Sequence, residues 1–372
     1  VETIVRDGPR AVAIRAEVEV VRRDQQSRLA FPNPGLSFSR EGAGFTEFLQ
    51  LEQALPIFGV RGALTRAGVA AAAAAEAERD ARLWDLRSDA TRAVARWAWA
   101  QDRATAAASD VQAVARLVDI LRVREREGEG SRFDRLRVEQ ELAELQQMAT
   151  SAAIDVSDAR ASVMALLPPD VTVTSVEVTP RQSASAVDAE ALWARARSAR
   201  AELRALQAAG DRARLEADVA TRERWPTPIL SGGVKRADTG VDRERGGVFG
   251  LSLAVPLFDT GSRMAARWVA EGVRIAAERT AIEQQVWAEV QRAIDALVRR
   301  RQAMTEAAGD ALGVELATTA EVAYREGEIG VTALLDAVRT ASRARVRDLE
   351  RRLELQFAEI ALERAVGEKV WP

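Results

Sequence analysis

Apolar residues recur at alternating steps of three and four along most of the chain. Leu83, Leu86, Ala90, Ala93, Trp97, Ala100, Ala104, Ala107, Val111, Val114, Val118 and Leu121 hold the step without a miss. A second register reads Val138, Leu142, Leu145, Ala149, Ala152, Val156, Ala159, Val163, Leu166. A third reads Leu192, Ala196, Ala199, Leu203, Leu206, Gly210, Ala213, Ala217, Ala220. A sustained period of 3.5 residues predicts helices packed side by side as coiled coils, and alanine seams let their axes come close. Proline breaks helix interiors. None of the eleven prolines lies between Pro56 and Pro168, or between Pro256 and Pro372. The pattern therefore predicts helices over 60–126, 131–167, 187–224, 260–325 and 331–366, and another helix near the start. A helix over 60–126 would be about 100 Å long at 1.5 Å per residue.

Two short islands break this period. Each reads as a β-hairpin, over 33–56 and 228–256, with turns at Glu41–Gly44 and Ala237–Gly247. In one, Leu49, Leu51 and Leu55 alternate with Gln50, Glu52 and Ala54, with Gln53 out of step. In the other, Phe249, Leu251, Leu253 and Val255 alternate with Val248, Gly250, Ser252 and Ala254. Period two, with one greasy and one small or polar face, suits a strand between lipid and a wet lumen. Phe31, Phe58, Trp225 and Phe258 flank the strands. They either form an interfacial girdle or plug the junction of helix and sheet.

The islands are copies. Pro56-Ile57-Phe58 matches Pro256-Leu257-Phe258, and Phe31-Pro32-Asn33-Pro34 matches Trp225-Pro226-Thr227-Pro228. Gly128-Glu129 matches Gly327-Glu328. The chain divides into a repeat over 1–185, whose last segment, 168–185, holds a short strand at Val171–Val173, and a repeat over 186–372. Four strands cannot close a barrel, and an open edge is not tolerated in lipid. The hairpins predict completion by further copies of the chain.

Composition narrows the chemistry. The chain has no cysteine and no histidine, and 53 basic against 56 acidic residues. This excludes disulfides, the usual zinc sites and histidine general bases, and offers no field for nucleic acid. No phosphate loop, nucleophile elbow or metal-ligand spacing is present, so no cofactor, no metal and no enzymatic activity are expected. No run approaches the roughly 20 apolar residues of a spanning helix. The given chain starts at Val1 and shows no export signal.

Five segments carry a resemblance: Pro32-Asn33-Pro34, Leu55-Pro56-Ile57-Phe58-Gly59, Val255-Pro256-Leu257-Phe258-Asp259-Thr260-Gly261, Gly128-Glu129-Gly130-Ser131-Arg132-Phe133-Asp134, and Tyr324-Arg325-Glu326-Gly327-Glu328-Ile329-Gly330-Val331-Thr332. In order and spacing they resemble the TolC-like outer-membrane factors, and within them the CzcC-like metal-efflux branch. The resemblance spans nearly the whole chain. It implies a mainly α fold with a small β part: long coiled-coil helices in an α-barrel, and two hairpins contributing to a trimeric, twelve-stranded transmembrane β-barrel. It implies a homotrimer in the outer membrane of a Gram-negative-type cell, in contact with its lipid, with the helices in the periplasm. The partners implied are a periplasmic adaptor and an inner-membrane pump of the RND type. The helix breaks would be the periplasmic tip, with Gly128, Gly130, Ser131, Arg132, Gly327, Gly330, Val331 and Thr332 against the adaptor, and segment 168–185 with the two termini would form a mixed equatorial region.

Acidic residues cluster at those breaks: Glu127, Glu129, Asp134, Glu326, Glu328 and Asp336. Repeated around an axis, such carboxylates form rings that favour cations. They are also common as solvated cap residues. The leading expectation is a passive exit duct for metal ions or small solutes. The alternatives are a soluble coiled-coil scaffold, and a carboxylate hydrolase, for which alanine-seamed rods would offer no pocket.

Overall fold

The longest element is a single helix, α3, over Val60–Arg126, which occupies the first proline-free interval. The computed structural model describes residues 1–42, 45–178, 188–238, 240–258, 260–306 and 309–371. In chain order it contains α1 (Glu2–Asp7), α2 (Pro9–Arg28), β1 (Gly35–Glu41), β2 (Thr46–Ala54), α3, α4 (Arg132–Met164), α5 (Ala189–Ala199), α6 (Ala201–Glu223), β3 (Ile229–Asp238), β4 (Arg243–Ser252), α7 (Ser262–Glu306), α8 (Gly309–Arg325) and α9 (Val331–Val366). The fold is mainly α with one small antiparallel sheet, and the same element order occurs twice. None of the residues in the first two heptad series is exposed. None of the described helices is long and apolar enough to cross a membrane.

The chain forms two compact units. One comprises Val1–Ala13, Arg82–Arg200 and Gln285–Pro372; the other comprises Ile14–Ala81 and Ala201–Gln284. In the first, Val114, Leu117, Val118, Leu121, Val138, Ala320, Tyr324, Val331, Leu334, Leu335 and Ala337 form a continuous core of α3, α4, α8 and α9. In the second, Ala63 and Ala67 of α3 bury against Val219 of α6. Alanines at this contact let the two helices approach closely.

Several expectations are corrected. The 187–224 helix is two helices, α5 and α6, separated at Arg200 with ψ 113°. A matching break at Gly8 separates α1 from α2. Each break lies against the residues that follow the last helix of its own repeat. A side chain at Gly8 would strike the carbonyl of Leu166, and one at Gly367, with φ +86°, would strike the backbone of Arg200. Arg200 also donates from Nη1 to the Arg364 carbonyl (2.8 Å) and from Nη2 to Glu289 (2.9 Å). It thereby satisfies a carbonyl that the α9 C-terminus leaves open.

Val171–Val173 is not a strand. Within the equatorial segment, residues 171–178 form no strand or helix and 179–185 lie outside the described residues. The helix expected over 260–325 is described as α7 and α8; residues 307 and 308 lie outside the described residues, as do residues 43, 44 and 239 of the hairpin turns and Asp259.

Candidate membrane sheet and helical tip

The sheet is a meander in the order β1-β2-β3-β4, antiparallel throughout, with β1 and β4 as its edges. The central β2–β3 pairing joins the two hairpins, from Thr46↔Ala237 to Ala54↔Ile229. Cross-strand partners share a face, so register fixes the two faces. One row reads Leu36, Leu51, Gly232, Phe249 across the four strands. The next reads Phe38, Leu49, Val234, Gly247, and on the other side Leu230 pairs with Leu251. Every apolar side chain in these rows is exposed, from 46% at Leu49 to 88% at Phe249. The opposite face carries Ser37, Gln50, Gly233 and Val248 in one row, and Ser39, Phe48, Lys235 and Gly246 in another. One face is thus apolar except for Gln53, the β2 partner of Leu230, and the other is mainly small and polar. At the turn end the apolar face stops in a charged row, Arg40, Glu47, Arg236, Arg245.

Leu49, Leu51, Phe249 and Leu251 lie on this apolar face, whereas Leu55, Leu253 and Val255 lie outside the strands. The alternation runs past the strand ends because Pro56 and Pro256 cannot donate to a ladder. Each instead centres a tight turn, with Ile57 N–H donating to the Leu55 carbonyl (2.8 Å) and Leu257 N–H to the Val255 carbonyl (3.0 Å). Leu253 and Val255 remain exposed.

The aromatics sit at these junctions. Phe58 and Trp225 pack ring to ring at 6.1 Å, and Arg61 lies over the Phe31 ring at 5.0 Å. Phe31, Phe58, Trp225 and Phe258 nonetheless stay exposed. Phe58 and Trp225 thus brace the joint while leaving ring surface outward.

At the other candidate site, α3 and α8 end in the same way. Gly128 and Gly327 adopt φ +79° and +80°. Glu129 N–H reaches back to the Arg124 carbonyl (2.9 Å) and Glu328 N–H to the Ala323 carbonyl (2.8 Å). With Gly128 N–H on Glu125 and Gly327 N–H on Tyr324, both are Schellman caps, which need a left-handed residue and so glycine. α4 then starts with Ser131 accepting from Phe133 N–H at 3.2 Å, while Gly330 begins α9 with no side-chain cap.

Of the proposed contact residues, Gly128, Ser131, Arg132, Gly327, Gly330 and Thr332 are exposed and Gly130 half-buried. Val331 is the exception: its side chain is part of the core with Tyr324 and Leu334, so it presents nothing outward. Glu127, Glu129, Glu326, Glu328 and Asp336 are exposed and Asp134 is half-buried. Among the described residues, the four glutamates make no ion pair. Sequence reasoning missed the arginines that brace the hairpin. Arg135 pairs with Glu125 and with Glu139 (2.7 Å), and Arg122 with Glu139 (2.9 Å). Only the Arg135–Glu139 pair has a signal in the sequence, the Arg–x–x–x–Glu spacing; the two pairs that cross the hairpin lie 10 and 17 residues apart and have none. Two hydrogen-bonding arginines hold the Glu139 carboxyl below its ordinary value.

A groove of about 330 Å³ does exist, lined by Arg103, Asp110, Met148, Ser342 and Arg343, which corrects the expectation that such helices offer none. Its carboxylate is already committed. Asp110 accepts from Ser342 Oγ at 2.6 Å and from Arg345 Nη1 at 2.7 Å.

A long-helix duplication carrying one shared meander sheet is the fold of TolC-like outer-membrane channels. Solved structures with this fold include the outer-membrane channel OprN (TM-score 0.74, 20% identity, 98% of this chain and 88% of that chain). A membrane protein from Pseudomonas aeruginosa superposes with TM-score 0.80 at 17% identity, over 98% of this chain and 92% of its own. The open state of the Neisseria gonorrhoeae MtrE outer-membrane channel gives 0.75 at 17%, over 100% and 88%. No protein-family model and no curated protein sequence matches the chain.

Proposed function

We propose that the chain is one protomer of an outer-membrane exit duct, a homotrimer that closes a twelve-stranded barrel and receives cargo from a periplasmic adaptor and an RND-type inner-membrane pump. The observation that carries this is the two-faced sheet with two free edges. An exposed apolar face of this extent marks an interaction surface. Lipid on that face and water on the other match the alternation of an outer-membrane strand. Edges that cannot be left open in lipid are satisfied by β1 of one copy pairing with β4 of the next. Twelve strands leave a lumen, where eight are filled by side chains. The duct does no chemistry; the pump supplies the energy. Metal ions, as in the CzcC-like branch, or small solutes are the cargo.

The test is extraction and reconstitution. A duct requires detergent, runs as a heat-labile trimer and conducts in planar bilayers. Leu51→Arg, on the apolar face, is expected to disfavour insertion by about 2–4 kcal/mol, whereas Gln50→Arg on the other face is tolerated. A chain that stays monomeric in buffer without detergent, with both variants alike, is the soluble scaffold instead.

A further inference from the structure

The charged row at the end of the apolar face is not balanced. Arg236 and Arg245 are direct cross-strand partners on β3 and β4. Like charges placed opposite one another destabilise a ladder unless something neutralises them. The carboxylates on this face make their close contacts elsewhere, and Asp238 attracts Arg236 only through space. Glu47, the other neighbour of Arg236, has Arg40 at 4.0 Å, and Asp238 holds Arg243 at 2.9 Å and the Gly240 N–H at 3.0 Å. Glu41 and Glu244 belong to the opposite face. Four arginines therefore share the turn end of this face with two carboxylates, and neither Arg236 nor Arg245 makes a hydrogen bond or ion pair among the described residues. Both are exposed.

We propose that Arg236 and Arg245 bind the phosphate of an anionic outer-leaflet lipid. The inference rests on the barrel reading and goes beyond it. Two adjacent guanidinium forks match a phosphate, which accepts paired N–H donors. The pair lies two residues beyond the Phe38–Leu49–Val234 row, about 7 Å along the strands. That spacing lets the arginine stems lie on the acyl region while the heads reach the headgroups. Gly247 stands between Arg245 and Phe249 on the same face, and the Phe249 ring comes within 3.6 Å of where its Cβ would be. The occupant is a lipid and not free phosphate because the exposed Val234, Phe38 and Phe249 beside the pair offer surface to acyl chains. The pair lies at the turn end of the hairpins, whereas α2, α3, α6 and α7 join the strands at their other end. In a duct with periplasmic helices, this is the outer leaflet.

The experiment reconstitutes the full chain in phosphatidylcholine vesicles containing either phosphorylated lipid A or its dephosphorylated form, and reads lipid A retained per protomer after detergent extraction. The wild type retains the phosphorylated form preferentially, and inorganic phosphate does not displace it. Arg236→Gln and Arg245→Gln each weaken retention about fivefold, and the double variant about 25-fold. These changes remove a repulsion, so the sheet keeps its fold. Lys235→Gln, on the opposite face at the same level, leaves retention unchanged. Equal retention of the two lipid forms, displacement by phosphate, or an equal loss in Lys235→Gln overturns the proposal. Failure to insert into vesicles of the dephosphorylated lipid defeats the barrel reading itself and is scored separately.

Discussion

Arg28 grips Glu216 through two parallel hydrogen bonds, Nη1 to Oε1 at 2.6 Å and Nη2 to Oε2 at 2.9 Å. The pair ties α2 to α6, the corresponding helices of the two repeats. The Glu216 side chain is 4% exposed and that of Arg28 32%. Removing one partner of such a pair strands a buried charge. We expect Arg28→Met to cost about 3 kcal/mol, the low end for buried pairs because Arg28 keeps some solvent. Replacing both, as Arg28→Met with Glu216→Leu, restores most of that loss. Chemical unfolding followed by circular dichroism measures both. A double variant as unstable as the single one contradicts the account.

Acid should loosen the α3–α4 hairpin. The Glu139 carboxyl is lowered from its ordinary value of 4.5 by hydrogen bonds from Arg122 and then Arg135. A depressed carboxylate binds fewer protons folded than unfolded between the two values. Its contribution is therefore fully present above that ordinary value and is lost as pH falls through the depressed one. Hydrogen exchange across residues 119–126, corrected for intrinsic rates, is expected to speed up on acidification in the wild type. In Glu139→Gln this pH dependence is reduced. An identical profile in the variant removes Glu139 as the cause.

Much of this architecture is legible in the residues, and the failures have physical causes. Proline positions and the 3–4 step outline α3, and period two locates the apolar face at Leu49, Leu51, Phe249 and Leu251. Alternation alone cannot end a strand, so Leu253 and Val255 read as strand although Pro256 turns the chain. The break at Arg200 has no proline or glycine to announce it. It exists because its guanidinium satisfies the end of α9, a contact between residues 164 apart in sequence. Val331 reads as the first residue of the 331–366 helix and as an outward contact; it does begin α9, but its side chain belongs to the core, which the sequence next to Gly330 does not reveal.

The paired helix ends differ in a way that substitution can read. Gly128 and Gly327 have open space around them but positive φ, so alanine at either costs about 1–2 kcal/mol through backbone strain alone. Gly130 carries no positive φ, but a Cβ there would meet Arg124 Cβ and Glu125 N at 3.0 Å. Gly130→Ala is thus a steric loss. Gly330 is open and lacks the hydroxyl that Ser131 supplies at the matching position. Gly330→Ser is expected to stabilise by a few tenths of a kcal/mol, up to about 0.5. Denaturation midpoints order the four variants, and a destabilised Gly330→Ser refutes the capping argument.

The exposed glutamates beside the two caps are the remaining question of function. Glu129 and Glu328 each follow a left-handed glycine, and each fixes its own N–H in the Schellman bond. The backbone at both positions is therefore held while the carboxylate stays in solvent, without a cation partner among the described residues. In a trimer each residue becomes a ring of three, and a carboxylate ring raises local cation concentration at an aperture. Neutralising the ring that faces the lumen, by Glu129→Gln or Glu328→Gln, is expected to lower the cation-over-anion permeability ratio in single-channel recordings. The effect should fade as salt rises and screening shortens the field's reach. Neither change touches the cap hydrogen bonds, so stability should hold. If both variants keep the wild-type permeability ratio at low salt, these carboxylates are solvated cap residues and the aperture is governed elsewhere.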